Sequence, residues 1–257
     1  MRFPEFLKKN GTIGFVAPSF GCNIEPYKTS FNHALEKFHE MGYQTTLGPN
    51  CFEGSGIGIS NTPEKCAAEL NKMYLSDEAD AIISCGGGEL MCEILDDVDF
   101  DAIKAAKPKW YMGYSDNTNF TFLLTTICDV ASIYGPCAGT FGMEPWDESI
   151  EDCFSLFTGK KLTMQSYQLW EKEGLRDEEH PLEPYNLTEQ SLVRSFMTKK
   201  DQAGEVQAFE TEGNIEFKGR LIGGCMDCLV NLTGTKFDQV KSFNERYKED
   251  GIIWYLE

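Results

Sequence analysis

The chain has 257 residues, enough for one large domain or two modest ones built around a real core. Hydrophobic residues make up 41% and aromatics 12%, a globular rather than a disordered composition. The net charge of −18, from 23 Lys+Arg against 41 Asp+Glu, argues for solubility and against nucleic acid or an acidic membrane surface as partner, since either would need a basic stripe.

The N-terminus, MRFPEFLKKN, has no apolar run and no small-residue cleavage site, so no secretory signal is expected. No window approaches the roughly 18 uninterrupted apolar residues of a membrane span. A cytoplasmic location follows as the expectation, and with it reduced cysteines. Cys85, Cys92, Cys128, Cys137 and Cys153 stand in apolar surroundings and read as small buried hydrophobes. Cys225 and Cys228 form a lone C-x-x-C. A structural zinc site wants a second pair, and the only histidines are His33, His39 and His180, so neither a metal nor a cofactor is expected.

In chain order, Thr12–Ala17 reads as a strand ending at the turn signal Pro18-Ser19. Apolar residues at Phe31, Ala34, Leu35 and Phe38 predict a helix from Pro26 to Met41, terminated by Gly42. Gln44–Leu47 reads as a strand, and Pro63–Leu75 as a helix with Thr62 as N-cap and Pro63 at its first position. Ala79–Cys85 is a third strand that runs into Gly86-Gly87-Gly88, followed by a short helix over Glu89–Leu95. Lys109–Gly113 is a strand, Asn117–Cys128 a helix and Val130–Tyr134 a strand. This alternation predicts a parallel sheet covered on both faces, with chemistry at the C-terminal ends of its strands. Ser19, the glycine triplet, Ser115 and Tyr134-Gly135-Pro136 would then share one rim.

From Glu144 to about Gly213 the pattern dissolves, and Leu169–Glu189 is acidic with little periodicity. Strand-like pieces follow at Val206–Phe209, Ile215–Leu221 and Ile252–Leu256, with a helix expected over Leu221–Leu232. The expected class is α/β: a nucleophile-bearing parallel-sheet sandwich over 1–145, a linker and surface excursion over 146–205, and a smaller, incomplete C-terminal α/β domain from 206 to 257. The apolar run GIIWYLE stops mid-element, which raises the expectation of a further C-terminal segment.

The sharpest local signal is Gly113-Tyr114-Ser115-Asp116, between a strand and a helix. Such a turn exposes a serine hydroxyl, and the N–H groups after it point at developing negative charge. Against the usual G-x-S-x-G, Asn117 replaces the second glycine, and Ser-Asp-Asn is equally a helix-capping pattern. The glycine triplet suits either an oxyanion hole or a tight turn, and it lacks both G-x-G-x-x-G spacing and the Lys-Ser/Thr of a phosphate loop. His33 and His39, six apart on one helix, and His180, in the acidic stretch, read as surface residues, so none is placed as the base a hydrolytic serine needs. The rim is poor in Arg and Lys, Lys109 lying at the far end of its strand, while Tyr167, Trp170 and Tyr185 could wall a sugar or base or simply pack the linker.

With these residues in hand the sequence resembles the LD-carboxypeptidase family of serine peptidases, which includes microcin C immunity peptidases. The markers are TIGFVAPS (12–19), SCGGGELMCEIL (84–95), VDFDAIKAAKPKWYMGYSDNT (98–118), IYGP (133–136), GRLIGGCMDCLVNLTGT (219–235) and IIWYLE (252–257). The resemblance implies a two-domain α/β fold with a Ser–Glu–His triad and no cofactor. Ser115 matches the nucleophile and Glu257 the glutamate, and the backbone of Asp116 with Gly87 or Gly88 would form the oxyanion hole. The family's histidine lies beyond position 257, so the 257-residue chain is expected to be inactive. The implied substrate is a small peptide, in the first place a cytoplasmic muropeptide ending in D-alanine. The alternatives are an aminoacyl or peptidyl nucleotide amide, as in the immunity branch, or peptide binding by a catalytically dead module. An amidotransferase- or esterase-like enzyme with a cysteine nucleophile is disfavoured, since no cysteine stands at an elbow. A homodimer is compatible with the resemblance.

Overall fold

A computed structural model describes residues 1–211 and 215–257. Gly213, at the end of the stretch without pattern, lies outside the described residues. The first half runs β1 (Thr12–Val16), α1 (Tyr27–Glu40), β2 (Gln44–Leu47), α2 (Pro63–Leu75), β3 (Ala81–Ser84), α3 (Phe100–Ala105), β4 (Tyr111–Gly113), α4 (Thr118–Thr126), β5 (Ile133–Tyr134) and α5 (Glu148–Phe157). Single 3₁₀ turns stand at Met91–Ile94, Ser115–Asn117 and Ala138–Gly142. Five strands form one parallel sheet in the order β2-β1-β3-β4-β5.

Residues that alternate along each strand face opposite layers. Val16, Ile82 and Tyr111 pack with Tyr74, Phe120 and Phe243 on one side. Phe15, Ile83 and Met112 pack with Phe31, Phe38, Phe141 and Phe154 on the other. Apolar side chains on both faces are what a parallel sheet covered by helices requires. The order reverses between β1 and β3: the chain leaves β1 toward β2 on one side and continues through β3, β4 and β5 on the other. The loops diverge there and leave a crevice beyond the strands' C-terminal ends.

The sequence pattern locates β2 and α2 to the residue and most other elements of the first half to within two or three. Thr62 makes no side-chain cap bond to α2, whose start rests on Pro63. Three helices escape that reading. α3 is six residues long, and Asp99 caps it through Ala102 N at 2.9 Å. α5 lies in the stretch read as without pattern, yet its Ile150, Cys153, Phe154 and Phe157 recur at the helical period and are buried against the sheet. Beyond it come two antiparallel pairs, β6 (Leu169–Glu171) with β7 (Leu187–Gln190) and β8 (Phe196–Lys200) with β9 (Val206–Glu210). β10 (Arg220–Gly224) takes residues expected at the start of a helix, leaving α6 as Met226–Leu232. α7 (Val240–Tyr247), the third helix missed, and β11 (Ile252–Leu256) follow, and β10 and β11 pair in parallel. Among the described residues no helix is long and apolar enough to cross a membrane.

A buried carboxylate fixes the C-terminal end of β1. Glu69 of α2 is 4% exposed and accepts Ala17 N and Asn50 N, each at 2.8 Å, through its two oxygens. Burial pushes its pKa up, and the two N–H donors oppose that rise. Glu69→Gln would set an amide N–H against one of these donors. The expected cost is about 1–3 kcal/mol in urea unfolding, the range for a buried donor left unpaired. An unchanged midpoint and slope would remove Glu69 from the account of the fold.

Candidate active site

The three residues of β4 deliver the chain to Tyr114, and Ser115 then adopts φ +58, one of three non-glycine residues with positive φ among the described residues. Such backbone stores of order 1–3 kcal/mol in a side chain with a Cβ, and the surroundings must hold it. They do so from several sides. Ser115 N donates to Tyr134 Oη at 2.8 Å, and Ser115 O accepts Thr118 Oγ1 at 2.7 Å. Asn117 Nδ2 donates to Gly86 O at 2.8 Å while Asn117 Oδ1 accepts Tyr111 Oη at 2.6 Å. Asn117, which breaks the G-x-S-x-G pattern, thus ties the serine turn to the glycine turn. A Cβ on Gly113 would come within 2.7 Å of its side chain. The hydroxyl of Ser115 caps neither the 3₁₀ turn nor α4, so the capping alternative fails on geometry.

The glycine turn leaves β3 beside it. A Cβ on Gly87 would stand 3.3 Å from Ser115 Cβ and 3.5 Å from its Oγ, so glycine keeps the space over the hydroxyl open. Gly88 has φ +140, and a Cβ there would collide with Ser19 Oγ at 2.1 Å. Among the described residues, the N–H groups of Asp116, Gly87 and Gly88 donate to no protein acceptor. Asp116 is 4% exposed, and its carboxylate accepts Met91 N at 2.8 Å, Asn119 Nδ2 at 2.9 Å and Ser19 Oγ. One side chain therefore joins the turns that follow β1, β3 and β4.

On the other flank, Tyr134 Oη accepts Ser115 N and donates to the Glu257 carboxylate. Burial pushes the Tyr134 phenol up, and Glu257 pushes it further, so it remains a donor to that carboxylate. Glu257 is held at the end of β11, its N–H donating to Gly224 O at 3.1 Å. Of the residues singled out from sequence, Ser19, Gly87, Gly88, Ser115, Asp116, Tyr134 and Glu257 meet on this rim. The histidines do not join them: His33 Nδ1 pairs with Gly142 O at 2.7 Å, His39 Nε2 with Thr45 Oγ1 at 2.7 Å and His180 Nδ1 with Asp177 Oδ1 at 3.1 Å. Tyr167, Trp170 and Tyr185 line a separate cavity of about 650 Å³ with Asp152 and Lys161. Cys92, expected to be buried, is exposed at the 3₁₀ turn, whereas Cys85, Cys128, Cys137 and Cys153 are buried.

The sequence reading missed a cation at the rim. Arg176 lies with its guanidinium carbon 5.6 Å from the centre of the Tyr27 ring, and Tyr27 meets Phe20 edge-on at 5.2 Å. Phe20 N in turn donates to Gly87 O at 2.8 Å. Burial pushes the Tyr114 and Tyr185 phenols up, and the charge of Arg176 draws both back. Among the described residues no carboxylate pairs with Arg176. No local pattern announces it, because the excursion must fold back to bring it here.

Comparison with known proteins follows the same outline. Residues 13–135 match the family model for the LD-carboxypeptidase N-terminal domain. Over these residues, just under half its length, the chain resembles that domain. It is 28% identical over 234 residues to the microcin C7 self-immunity protein MccF of Escherichia coli, which covers 90% of this chain and 63% of that protein. It is 30% identical over 140 residues to a probable murein peptide carboxypeptidase of Bacillus subtilis, covering 53% and 41%. The chain thus spans less than two thirds of the length of either relative. A solved structure of MccF in an inactive mutant apo state superposes with a TM-score of 0.73 at 24% identity, over 91% of this chain and 66% of that one. Another, of MccF with aspartyl sulfamoyl adenosine, gives 0.69 at 22% identity, over 92% and 67%. At these identities the superpositions establish the fold.

The Asp116 carboxylate accepts Met91 N, Asn119 Nδ2 and Ser19 Oγ, with Cys228 Sγ a longer donor at 3.8 Å, and an amide can offer them only one oxygen. Asp116→Asn is expected to cost about 2–4 kcal/mol in chemical denaturation, the scale for an unpaired group in a buried polar network. A change below about 0.5 kcal/mol, within ordinary surface scatter, would show that the three turns hold together without it.

Proposed function

We propose that this chain carries the nucleophile of a serine peptidase that hydrolyses an amide at a peptide terminus, with Ser115 as the attacking group. The observation that carries the reading is Ser115 itself: a strained serine between strand and helix, its hydroxyl unused as a cap and facing the bare backbone of Gly87. In this reading a histidine base takes the Ser115 proton and the alkoxide attacks the carbonyl. The N–H groups of Asp116 and of Gly87 or Gly88 hold the oxyanion. The base then protonates the leaving amine, and water releases the acyl group from Ser115 by the same steps in reverse. Glu257 would orient the base. His33, His39 and His180, each partnered elsewhere, do not serve as that base. Residues 1–157 hold the nucleophile around one sheet, the stretch from about 158 to 205 is an excursion from it, and Ile222, Leu232 and Phe243 of the segment that follows share the first half's core.

The substrate favoured is a muropeptide with a terminal D-alanine. Arg176 supports this, as a guanidinium without a carboxylate partner at the rim suits a free carboxylate beside the scissile bond. A second reading, cleavage of an aminoacyl nucleotide amide, is supported by the similarity to MccF over 90% of the chain. The deciding experiment gives the protein, in a form that includes the base, a muropeptide tetrapeptide and separately aspartyl sulfamoyl adenosine, with mass spectrometry as readout. Release of D-alanine alone supports the first reading and cleavage of the nucleoside alone the second. Cleavage of neither points to a peptide-binding module.

In the same assay Ser115→Ala is expected to lower kcat/KM by several orders of magnitude with the fold intact, as for a group that acts only in the transition state. A loss below about tenfold would end its assignment. Arg176→Ala is expected to raise KM roughly tenfold or more while kcat changes little, as loss of a charge-assisted hydrogen bond worth about 1.5–3 kcal/mol predicts. An unchanged KM would place the carboxylate elsewhere.

A further inference from the structure

The chain has ten cysteines, and most are shielded. Cys22, Cys51, Cys66, Cys85, Cys128, Cys137 and Cys153 are buried among apolar side chains, and Cys92 is exposed on the 3₁₀ turn, one residue after Met91, whose N–H binds Asp116. Cys228 is buried like those seven, but it pairs by spacing with the more accessible Cys225. Cys225 is the half-buried N-cap residue of α6, and Cys228 follows one helical turn later. Their i, i+3 spacing puts both residues on one face of the helix start. Neighbours at i, i+3 on a helix fall within the Cα separation of about 4.4–6.8 Å that a disulfide accepts.

The pair also lies directly behind the Ser115 turn. Cys225 N donates to Thr118 Oγ1 at 2.9 Å, and Thr118 Oγ1 donates to Ser115 O at 2.7 Å. Cys228 Sγ stands 3.8 Å from both Ser115 O and Asp116 Oδ1. Whatever moves these two sulfurs therefore acts on the backbone that holds Ser115 at positive φ.

We propose that Cys225 and Cys228 are a thiol-oxidation site that forms a reversible intramolecular disulfide with a low-molecular-weight disulfide of the glutathione class, and that the bond shifts the Ser115 turn. The more accessible Cys225, as thiolate, attacks the external disulfide; a mixed disulfide forms and one small thiol leaves. Cys228 loses its proton and attacks the Cys225 sulfur, forming the internal bond and releasing the second small thiol. Two protein thiols are oxidised and one external disulfide is reduced to two thiols. Burial, and next to it the Asp116 carboxylate, push the Cys228 thiol up, which fits it to the resolving rather than the attacking step. In the product the sulfurs sit about 2.05 Å apart, and Cys228 no longer has an S–H to offer Ser115 O or Asp116 Oδ1.

The test needs no catalysis. The 257-residue protein is equilibrated with reduced and oxidised glutathione at graded ratios, quenched in acid, alkylated in denaturant and digested for mass spectrometry. The expected result is that the peptide holding Cys225 and Cys228 converts to an unalkylated form lighter by two hydrogens. Cys92 should at most carry a glutathione adduct, and the seven buried cysteines should remain alkylatable. In Cys228→Ser, glutathione should stay attached at Cys225. Hydrogen exchange of the peptide containing Ser115 should change several-fold between the reduced and oxidised wild type. Absence of the internal disulfide at every ratio in the native wild type, or its appearance only under denaturing conditions, would overturn the site. A disulfide that forms without altering exchange at Ser115 would overturn its coupling to the turn.

Discussion

The carboxylate of Asp116 is the constraint on which the site depends. It lies inside the protein, among the described residues no cation pairs with it, and its partners are the donors Met91 N, Asn119 Nδ2 and Ser19 Oγ, with Cys228 Sγ further off at 3.8 Å. A buried charge of this kind persists only where every donor is held in place. The donors come from the turns after β1 and β3 and from the start of α4, so satisfying one carboxylate sets the distance between three strand ends. The approach of Gly87 to Ser115 follows from that spacing. Asn117 acts beside it on the same two turns. The serine is thus placed by its two successors in the chain, both polar and both buried, and the G-x-S-x-G glycine is not needed.

Much of this could be read along the chain. The parallel sheet follows from apolar runs such as Ala81–Ser84 broken by glycine and proline, because a strand buried on both faces must be apolar throughout. Ser115 stood out by its place between a strand and a helix. The C-terminal strand Ile252–Leu256 was legible as an apolar run, although its residues are half-buried or exposed. What escaped depends on distant partners. α5 is the exception, since Ile150, Cys153, Phe154 and Phe157 carry a helical period of their own and were masked only by the acidic residues around them. Leu221–Gly224 resembles a helix start until β11 arrives to pair with it. Asn117 looked like a defect in a motif, since its acceptor, Gly86 O, belongs to another turn.

Charge placement shows the same division. With a net charge of −18 most cations are expected to meet carboxylates, and many here do. Lys109 is spent on the fold: it reaches the carbonyls of Met73 and Ser76 at the end of α2, remote from the rim. Burial lowers its pKa. Arg176 is stacked on Tyr27 instead and keeps its hydrogen-bonding edge free of protein carboxylates among the described residues. In an acidic protein, such a group is the strongest local attraction for a small anion arriving at the crevice.

All nine residues of α4 are buried, and the helix packs against β4 and β5 on one side and against β10, α6 and α7 on the other. The chain enters this helix directly from Ser115. Ser115 is therefore mounted on a helix buried along its whole length, while the segments bearing Arg176 and the tyrosines are fastened only at the periphery. Such an arrangement separates two rates of evolutionary change. Rim segments can be lengthened, shortened or exchanged with costs confined to themselves, while the Ser115 turn stays the same.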